Sequence, residues 1–156
     1  MKVVIQTRSV TETLQLGKRM GRLLQSGEVV ALTGELGSGK THFIKGLAAG
    51  AGVERPDDIT SPTFTLIHEH PGRLPFYHID LFRLTAEGEA EELGLEEYLG
   101  KKGITAVEWA DRIPTLLPRD LIRVNLSYLG PSLRSVQIVG EGPRYEALLK
   151  ELSGPR

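Results

Sequence analysis

The chain has 156 residues, of which 40% are hydrophobic and 25% charged, a composition typical of a folded protein and not of a disordered one. Its 19 Lys and Arg residues against 20 Asp and Glu residues give a formal net charge of −1, so it lacks the basic excess of proteins that bind nucleic acids through charge alone. The absence of cysteine excludes disulfides and thiolate metal ligands.

The first apolar run, Val3 to Ile5, is too short for the apolar region of a signal peptide, and no run reaches the length of a membrane span. We therefore expect a cytoplasmic protein without membrane association. No linker or internal repeat divides the sequence, so residues 1–156 are predicted to form a single domain.

The first predicted helix follows this start. Ser9 and Glu12 have the spacing of a capping box, in which two side chains satisfy free N–H groups at the start of a helix. Gly27 is the expected stop, so the predicted helix covers about residues 10–26. Its apolar stripe consists of Leu16, Met20, Leu23 and Leu24.

The next segment predicts a strand, a turn and a second helix. Val29 to Leu32 is a short apolar run, which favours a strand buried on both faces and therefore central in a parallel sheet. From Thr41 onward the apolar residues again have helical spacing, until Gly50 and Gly52 end it. The glycine-rich stretch between strand and helix is therefore a strand-to-helix connection.

The middle of the sequence predicts a loop and a hairpin. Residues 53–62 are predicted to be a surface loop. The runs "TFTLIHEH" and "PFYHIDLF" then predict two strands that pair around Pro71 and Gly72.

The last third predicts alternating elements. The acidic residues 85–100 predict a helix with a charged outer face, and "GITAVEW" predicts a buried strand ending at Glu108. The runs "LIRVNLSYL" and "SVQIVG" predict a second β pair, and "PRYEALLKEL" a closing helix with proline at its first position.

The stretch "GELGSGKT", residues 34–41, matches the phosphate-binding pattern G-x-x-x-x-G-K-[ST] between a predicted strand and a predicted helix. Glycines are needed because a backbone wrapped around phosphate adopts torsions that β-carbons forbid, and the helix start adds partial positive charge. Lys40 is expected to bind the β- and γ-phosphates and the Thr41 hydroxyl a Mg²⁺ ion. A glycine-rich turn closed by a surface lysine would explain the turn but not the whole motif. The predicted nucleotide-binding residues in this segment and directly after it are Gly37, Ser38, Gly39, Lys40, Thr41 and His42.

Two carboxylates are candidates for the chemistry beside this loop. A nucleotide bound with magnesium needs an acidic group at a neighbouring strand end, to hold the metal or its waters or to orient the attacking water. Asp80 ends "PFYHID" and Glu108 ends "ITAVE", so we expect both at the carboxyl edge of the sheet. The alternative for each is a solvated carboxylate at a strand end.

Thr63 and Trp109 are less specific candidates. Thr63 follows the loop after the second helix, where P-loop enzymes often have a segment that senses the γ-phosphate; the alternative is a β-branched residue that opens a strand. Trp109 directly follows Glu108 and is a candidate for flanking the nucleotide, although a lone tryptophan is more often part of a core or a partner surface.

The histidines give a weaker signal. His68 and His70 have strand spacing, but no third nitrogen or sulfur ligand completes a zinc site. We expect structural or surface roles for the histidines, with His78 as the strongest exception because it lies two residues before Asp80.

With these motifs located, the sequence resembles the TsaE (YjeE) family, the ATPase component of bacterial tRNA threonylcarbamoyladenosine synthesis. The resemblance rests on "GELGSGKTHFIKGLAAGAG", "SPTFTLIHEH", "YHIDLFRL" and "VEWADRIPTLLP" in this order and spacing, and covers about residues 9–118. Glu35 stands where the family usually has aspartate, and His70 where it often has tyrosine. Neither position touches the expected chemistry.

The resemblance implies a P-loop NTPase fold of the α/β class, with a mostly parallel central sheet flanked by helices and an antiparallel β portion. It implies a slow ATPase that binds ATP and Mg²⁺ and works with the TsaD and TsaB proteins. These partners modify adenosine 37 of tRNAs that read ANN codons, and hydrolysis is expected to reset the complex between turnovers. Contact with tRNA is expected to be indirect, through the complex.

The same resemblance assigns roles to single residues. Lys40 binds phosphate, Asp80 supports hydrolysis at the metal or the water, and Thr63 lies near the γ-phosphate; these are the expected catalytic residues. Thr41 and Glu108 are the expected Mg²⁺ ligands.

Two other functions stay open. P-loop small-molecule kinases have similar length, but an arginine-rich lid is not evident, since Arg73, Arg83 and Arg112 are scattered. A nucleotide-dependent binding module without essential turnover fits the same residues. A GTPase is disfavoured because the chain has no N-K-x-D sequence and no D-x-x-G after the phosphate loop.

Overall fold

The computed structural model describes residues 1–35, 37–60 and 66–154, in which helices flank a seven-stranded sheet. No helix in these ranges combines the length and apolar character that a membrane crossing requires. The strands are β1 Lys2–Thr7, β2 Val29–Gly34, β3 Ile67–His70, β4 Phe76–Asp80, β5 Ile104–Glu108, β6 Leu121–Tyr128 and β7 Arg134–Glu141. The helices are α1 Val10–Leu23, α2 Lys40–Gly50, α3 Glu87–Glu92 and α4 Pro143–Ser153, with 3₁₀ turns at Pro56–Asp58, Leu95–Glu97 and Ala110–Arg112.

The sheet has a parallel centre and antiparallel sides. Its strand order is β1-β7-β6-β2-β5-β4-β3, and β6, β2, β5 and β4 run parallel to one another. Antiparallel pairing adds β7 and β1 on one side and β3 on the other. The predicted α/β class, with parallel central strands and an antiparallel portion, is confirmed. Because parallel strands end at the same edge of a sheet, the ends of β2, β5 and β4 lie together.

The central strand β2 is buried on both faces, as predicted. Val30 and Leu32 belong to one apolar cluster, which includes the inner faces of α1 and α2. Val29 and Ala31 belong to a second cluster on the opposite face of the sheet. Alternate side chains of one strand therefore fill two cores, which explains its continuous apolar sequence.

The predicted pairs and the closing helix are also confirmed. β3 and β4 form the antiparallel hairpin around residues 71–75, and β6 and β7 form the second pair. Pro143 occupies the first turn of α4. Within residues 53–60 of the predicted loop, the described chain forms a 3₁₀ turn and an isolated bridge between Val53 and Gly72.

Two predicted helices were too long. α1 ends at Leu23 and not near residue 26, because Leu24 turns to an extended conformation while its side chain remains buried in the core. The acidic residues 85–100 form only α3 and a 3₁₀ turn, separated by Gly94 in the left-handed region at φ 72°. A charged stretch with few apolar side chains offers little packing energy to hold a longer helix.

Helices α1 and α2 pack at backbone contact distance. Each helix contributes two glycines four residues apart to this contact. A β-carbon at Gly46 would lie 2.0 Å from the carbonyl oxygen of Leu14, and one at Gly17 would lie 2.3 Å from that of Phe43. Because these neighbours are backbone atoms, neither can move aside as a flexible side chain would. The contact holds α2, which begins directly after the phosphate loop, against α1.

We therefore expect Gly46→Ala to lower the free energy of unfolding by about 1–3 kcal/mol, the usual cost of overpacking. Gly88→Ala is the matched control, because a β-carbon at Gly88 in α3 meets nothing within 4 Å. Alanine there is expected to be neutral or to stabilise by about 0.4–1 kcal/mol. Urea unfolding of the two variants checks this, and equal effects would contradict the proposed contact.

Candidate nucleotide-binding site

The phosphate loop connects the end of β2 to the start of α2. Gly37 and Gly39 have φ angles of 82° and 101°, in the left-handed region that favours glycine. A β-carbon at Gly37 would meet nothing within 4 Å, so the loop leaves open space above its backbone. Leu36 lies outside the described residues. The local geometry is that of a loop able to approach a bound group closely.

Ser38 adds an unusual feature to this loop. Its side chain is fully buried, and its Oγ atom has no hydrogen-bond partner. Buried polar atoms nearly always have partners in folded proteins. An unsatisfied hydroxyl beside the start of a helix fits an anion such as phosphate, since the helix start also carries partial positive charge.

Lys40 begins α2 and lies at the centre of the site. It is only 6% exposed, its Nζ atom donates a hydrogen bond to the carbonyl oxygen of Gly34, and Nζ lies 3.9 Å from the centroid of the Trp109 ring. Burial lowers the pKa of Lys40, while the charges of Glu108 and Asp80 oppose that shift. A buried ammonium with a neutral carbonyl and an indole as neighbours would gain a stronger partner in a phosphate oxygen.

Asp80 and Glu108 lie side by side at the ends of β4 and β5. They are register partners in the parallel pair, and both are buried. Oδ1 of Asp80 accepts a hydrogen bond of 3.0 Å from the backbone N–H of Phe82. Oε2 of Glu108 lies 2.7 Å from Nε2 of His78. Burial, and next the Glu108 charge, raise the pKa of Asp80.

The raised pKa of Asp80 predicts a stability change. Ionising Asp80 costs more in the folded protein than in the unfolded chain, so the nucleotide-free protein loses stability as the pH rises through that pKa. Asp80→Asn does not ionise, and relief of a destabilised functional residue commonly gains about 0.5–2 kcal/mol. We expect Tm at pH 7, in EDTA, to rise by about 1–8 °C.

The raised pKa of Asp80 also predicts how the gain in Tm from Asp80→Asn depends on pH. The gain from Asp80→Asn should vanish below about pH 4, where aspartate is protonated in the unfolded chain as well. Asp57→Asn, at an exposed position, serves as the control and should leave Tm unchanged. Thermal melts from pH 3 to pH 8 check both expectations, and a gain that persists at pH 3 would contradict them.

Trp109 forms a wall beside Lys40. It is the one non-glycine residue with a positive φ, 59°, among the described residues. Its ring packs on Phe82 with centroids 5.3 Å apart, and the guanidinium carbon of Arg112 lies 5.3 Å from its centroid. Arg112 in turn donates a 2.9 Å hydrogen bond to the carbonyl oxygen of Leu84. Backbone strain of this kind, held by surrounding contacts, is concentrated at functional sites.

The structure brings four of the predicted site residues together, but it does not describe all of them. Lys40, Asp80, Glu108 and Trp109 come together at one edge of the sheet, through the strand register and the contacts above. Thr41 follows Lys40 in the first turn of α2. Thr63 lies outside the described residues. The roles of all these residues remain predictions.

Arg134 is a residue that the sequence analysis missed. It begins β7, and its Nη2 atom donates a 3.1 Å hydrogen bond to the carbonyl oxygen of Gly37. Two further contacts hold its guanidinium. Nη1 donates a 2.7 Å hydrogen bond to the carbonyl oxygen of Gly130, and the guanidinium carbon lies 4.6 Å from the centroid of the Tyr128 ring. Its Nε atom is buried without a partner. The only signal in the sequence is an arginine just after the turn of the second β pair.

A pocket adjoins the phosphate loop on the Arg134 side. It lies between the start of α1, the first turn of α2 and the β6–β7 loop, and encloses about 270 Å³, part of which is open to solvent. Its lining includes Ser9, Val10, Gly39, His42, Ser132 and Arg134.

A magnesium ion fits the site only together with a nucleotide. Within the described residues, no three His, Asp or Glu side chains are grouped to hold a metal ion by themselves. Magnesium in nucleotide sites is commonly bound by one or two protein groups, waters and substrate phosphates. Thr41 and the buried carboxylate of Glu108 match the protein share of such a site.

Comparisons with known proteins agree with this geometry. The family model described as threonylcarbamoyl adenosine biosynthesis protein TsaE matches residues 7–136. The tRNA threonylcarbamoyladenosine biosynthesis protein TsaE of Bacillus subtilis is 40% identical over 149 residues, which cover 95% of this chain and 92% of that protein. The protein of the same name from Treponema pallidum is 39% identical and covers 85% of this chain and 96% of its own. The crystal structure of Bacillus subtilis YdiB matches with a TM-score of 0.80 and 35% identity, over 98% of this chain and 95% of that one.

Proposed function

Because the chain belongs to the TsaE family of threonylcarbamoyl adenosine biosynthesis proteins, which bind nucleotides, we propose that it is a Mg²⁺-dependent ATPase acting in this tRNA modification. The observation that carries the proposal is the cluster of one buried lysine and two buried carboxylates beside the phosphate loop. Burial lowers the pKa of Lys40 and so destabilises its charged form. Asp80 and Glu108 lie side by side at adjacent strand ends, where the charge of Glu108 helps to raise the pKa of Asp80. Strained charges of this kind are typical of sites that act on a charged substrate.

In this proposal the phosphate loop binds the ATP phosphates. Backbone N–H groups and the Ser38 hydroxyl donate to phosphate oxygens, and Lys40 exchanges the Gly34 carbonyl for the β- and γ-phosphates. Thr41 and Glu108 would hold magnesium, which when bound neutralises charge that develops on the phosphate oxygens. Binding of the nucleotide would thus give a partner to the Ser38 hydroxyl, which has none in the nucleotide-free fold.

Asp80 is proposed to orient the attacking water. Its raised pKa makes it a better proton acceptor than an ordinary aspartate, and the Phe82 N–H holds one of its oxygens in place. Trp109, which lies against Lys40, is proposed to shield this region from bulk water. Thr63 is proposed to lie near the γ-phosphate.

The nucleoside part of ATP is proposed to occupy the pocket beside Arg134. The pocket begins at Gly39 and His42, one residue before and two residues after Lys40 along the chain, which is where a chain of phosphates bound at the loop would end. This proposal gives His42 its predicted role in nucleotide binding. Arg134 lines the same pocket, so its guanidinium places a positive charge beside the proposed nucleoside site.

The cellular role follows from the family. We propose that the chain acts in the cytoplasm with TsaD and TsaB, which threonylcarbamoylate adenosine 37 of tRNAs reading ANN codons. ATP hydrolysis would change the contacts available around the γ-phosphate and thereby reset the complex between turnovers. Contact with tRNA is proposed to be indirect.

ATP hydrolysis by the purified chain, alone and with a TsaD–TsaB pair, tests the proposal. Strong stimulation by the pair that disappears with Lys40→Ala is the expected result. If Mg·ATP binds but active partners give no stimulation, a binding module without essential turnover or a kinase with an unidentified acceptor explains the site better.

A further inference from the structure

One buried contact of Glu108 is not explained by the nucleotide itself. His78, on the neighbouring strand β4, is fully buried, and its Nε2 atom lies 2.7 Å from Oε2 of Glu108. A carboxylate oxygen only accepts hydrogen bonds, so Nε2 carries the hydrogen and donates it. The other ring nitrogen, Nδ1, is buried and has no partner.

A histidine with this hydrogen bonding is energetically unfavourable at a buried position. An imidazole with one nitrogen unsatisfied carries a cost of desolvation that an apolar side chain of similar size would avoid. In the sheet His78 pairs in register with Ala106 on β5 and with His68 on β3. A buried histidine that gains only one hydrogen bond therefore points to a role beyond packing.

The strand geometry indicates that role. His78 and Asp80 are two residues apart on β4 and so lie on the same face, and Asp80 is the register partner of Glu108. The imidazole thus lies behind the two carboxylates, on the side away from the strand ends. From there its N–H can fix the rotamer of Glu108 without occupying the space in front of it.

We propose, resting on the proposed function, that His78 is a positioning residue that holds Glu108 by Oε2 and so presents Oε1 to Mg²⁺ or to one of its waters. Hydrogen-bonding partners of metal ligands commonly matter because they remove rotamer freedom that binding would otherwise have to remove. Loss of such a partner typically lowers metal affinity by about 10-fold to 100-fold. Affinity for ATP without metal should not depend on the contact.

His78→Gln and His78→Asn make a matched pair for the test. The amide nitrogen of glutamine reaches the place of Nε2, whereas that of asparagine reaches only the place of Nδ1, and both side chains are polar. His78→Leu is a second loss variant, because an apolar side chain of similar volume suits a buried strand. His70→Asn is the control, since His70 pairs with Phe76 on the same hairpin.

The measurement is ATP affinity with Mg²⁺ and with EDTA, followed through the fluorescence of Trp109, the single tryptophan of the chain. The ratio of the two affinities reports what the metal contributes. We expect this ratio to fall by about 10-fold or more in His78→Asn and His78→Leu, and to stay close to the wild-type ratio in His78→Gln and His70→Asn. The EDTA affinity should be unchanged in all four variants.

An unchanged ratio in His78→Asn or His78→Leu would overturn the positioning role. This holds whether both affinities stay at the wild-type values or fall equally with Mg²⁺ and with EDTA, as a purely structural residue would cause. A wild-type protein whose ATP affinity does not respond to Mg²⁺ would instead contradict the proposed function itself, and the inference with it.

Discussion

Lys40→Ala is expected to lower the rate of ATP hydrolysis by about 100-fold to 1,000-fold, the usual loss when one charge-stabilising donor is removed from an active site. Lys40 is the buried cation that begins α2, and both candidate carboxylates act on its charge. Without it, the phosphate loop would have only neutral donors for the γ-phosphate. The rate of phosphate release at saturating Mg·ATP measures the effect.

The Tm of Lys40→Ala shows whether the loss of hydrolysis is caused by unfolding of the variant. Burial lowers the pKa of Lys40, so its charge is a cost to the nucleotide-free fold, and Lys40→Ala should not lower Tm. Lys45→Ala, on the same helix and half-buried, is the control and should retain hydrolysis. A Lys40→Ala protein that remains folded and active within a few-fold of wild type would contradict the proposed phosphate contact.

Asp80→Asn is expected to bind Mg·ATP with nearly wild-type affinity but to hydrolyse it about 100-fold to 10,000-fold more slowly, the range for loss of a general base. The amide keeps the shape and can still accept a hydrogen bond from the Phe82 N–H, but it cannot accept a proton from water. Calorimetry measures the Mg·ATP affinity of the variant, and a single-turnover assay measures its rate of hydrolysis.

Two neighbouring carboxylates provide the comparison. Glu108→Gln should lower mainly the contribution of Mg²⁺ to ATP binding, because Glu108 is the proposed metal ligand. Asp111→Asn should have little effect, since Asp111 is exposed although its charge also reaches Lys40. If Asp80→Asn weakened binding as strongly as hydrolysis, the assigned roles of Asp80 and Glu108 would be wrong.

The parts of the site that could be predicted from sequence follow local rules. The phosphate loop is one contiguous motif, and its position between a strand and a helix was confirmed for β2 and α2. Asp80 and Glu108 each end an apolar run, and the ends of parallel strands meet at one edge of a sheet. That general rule was enough to expect both carboxylates at the carboxyl edge of the sheet, whereas their side-by-side position follows only from the strand register.

The contacts that could not be predicted depend on tertiary structure. Arg134 reaches Gly37 across 97 positions of sequence, and only the strand order β7-β6-β2 brings the two segments together. The His78–Glu108 contact likewise needs the β4–β5 register, although His78 lies only two residues before Asp80 in the sequence. β1 was expected only as a short apolar start, because its partner β7 lies at the other end of the chain.

The predicted helix ends were wrong for a related reason. Leu24 continues the apolar rhythm of α1, yet it is buried beyond the end of the helix. Periodicity in sequence records which side chains are buried and not the backbone conformation that buries them. The same limit applies to Trp109, whose left-handed backbone at φ 59° has no signature in the sequence.

The number of modified tRNAs formed per TsaD–TsaB complex is the measurement that tests the account most directly. With excess tRNA and threonylcarbamoyl-adenylate, the complex should continue through many turnovers when the wild-type chain and Mg·ATP are present. With Asp80→Asn it should stop after about one turnover, because ATP binds but the reset by hydrolysis fails. Equal multiple turnover with Asp80→Asn, once its hydrolysis defect is verified, would contradict a role for hydrolysis and favour a binding module.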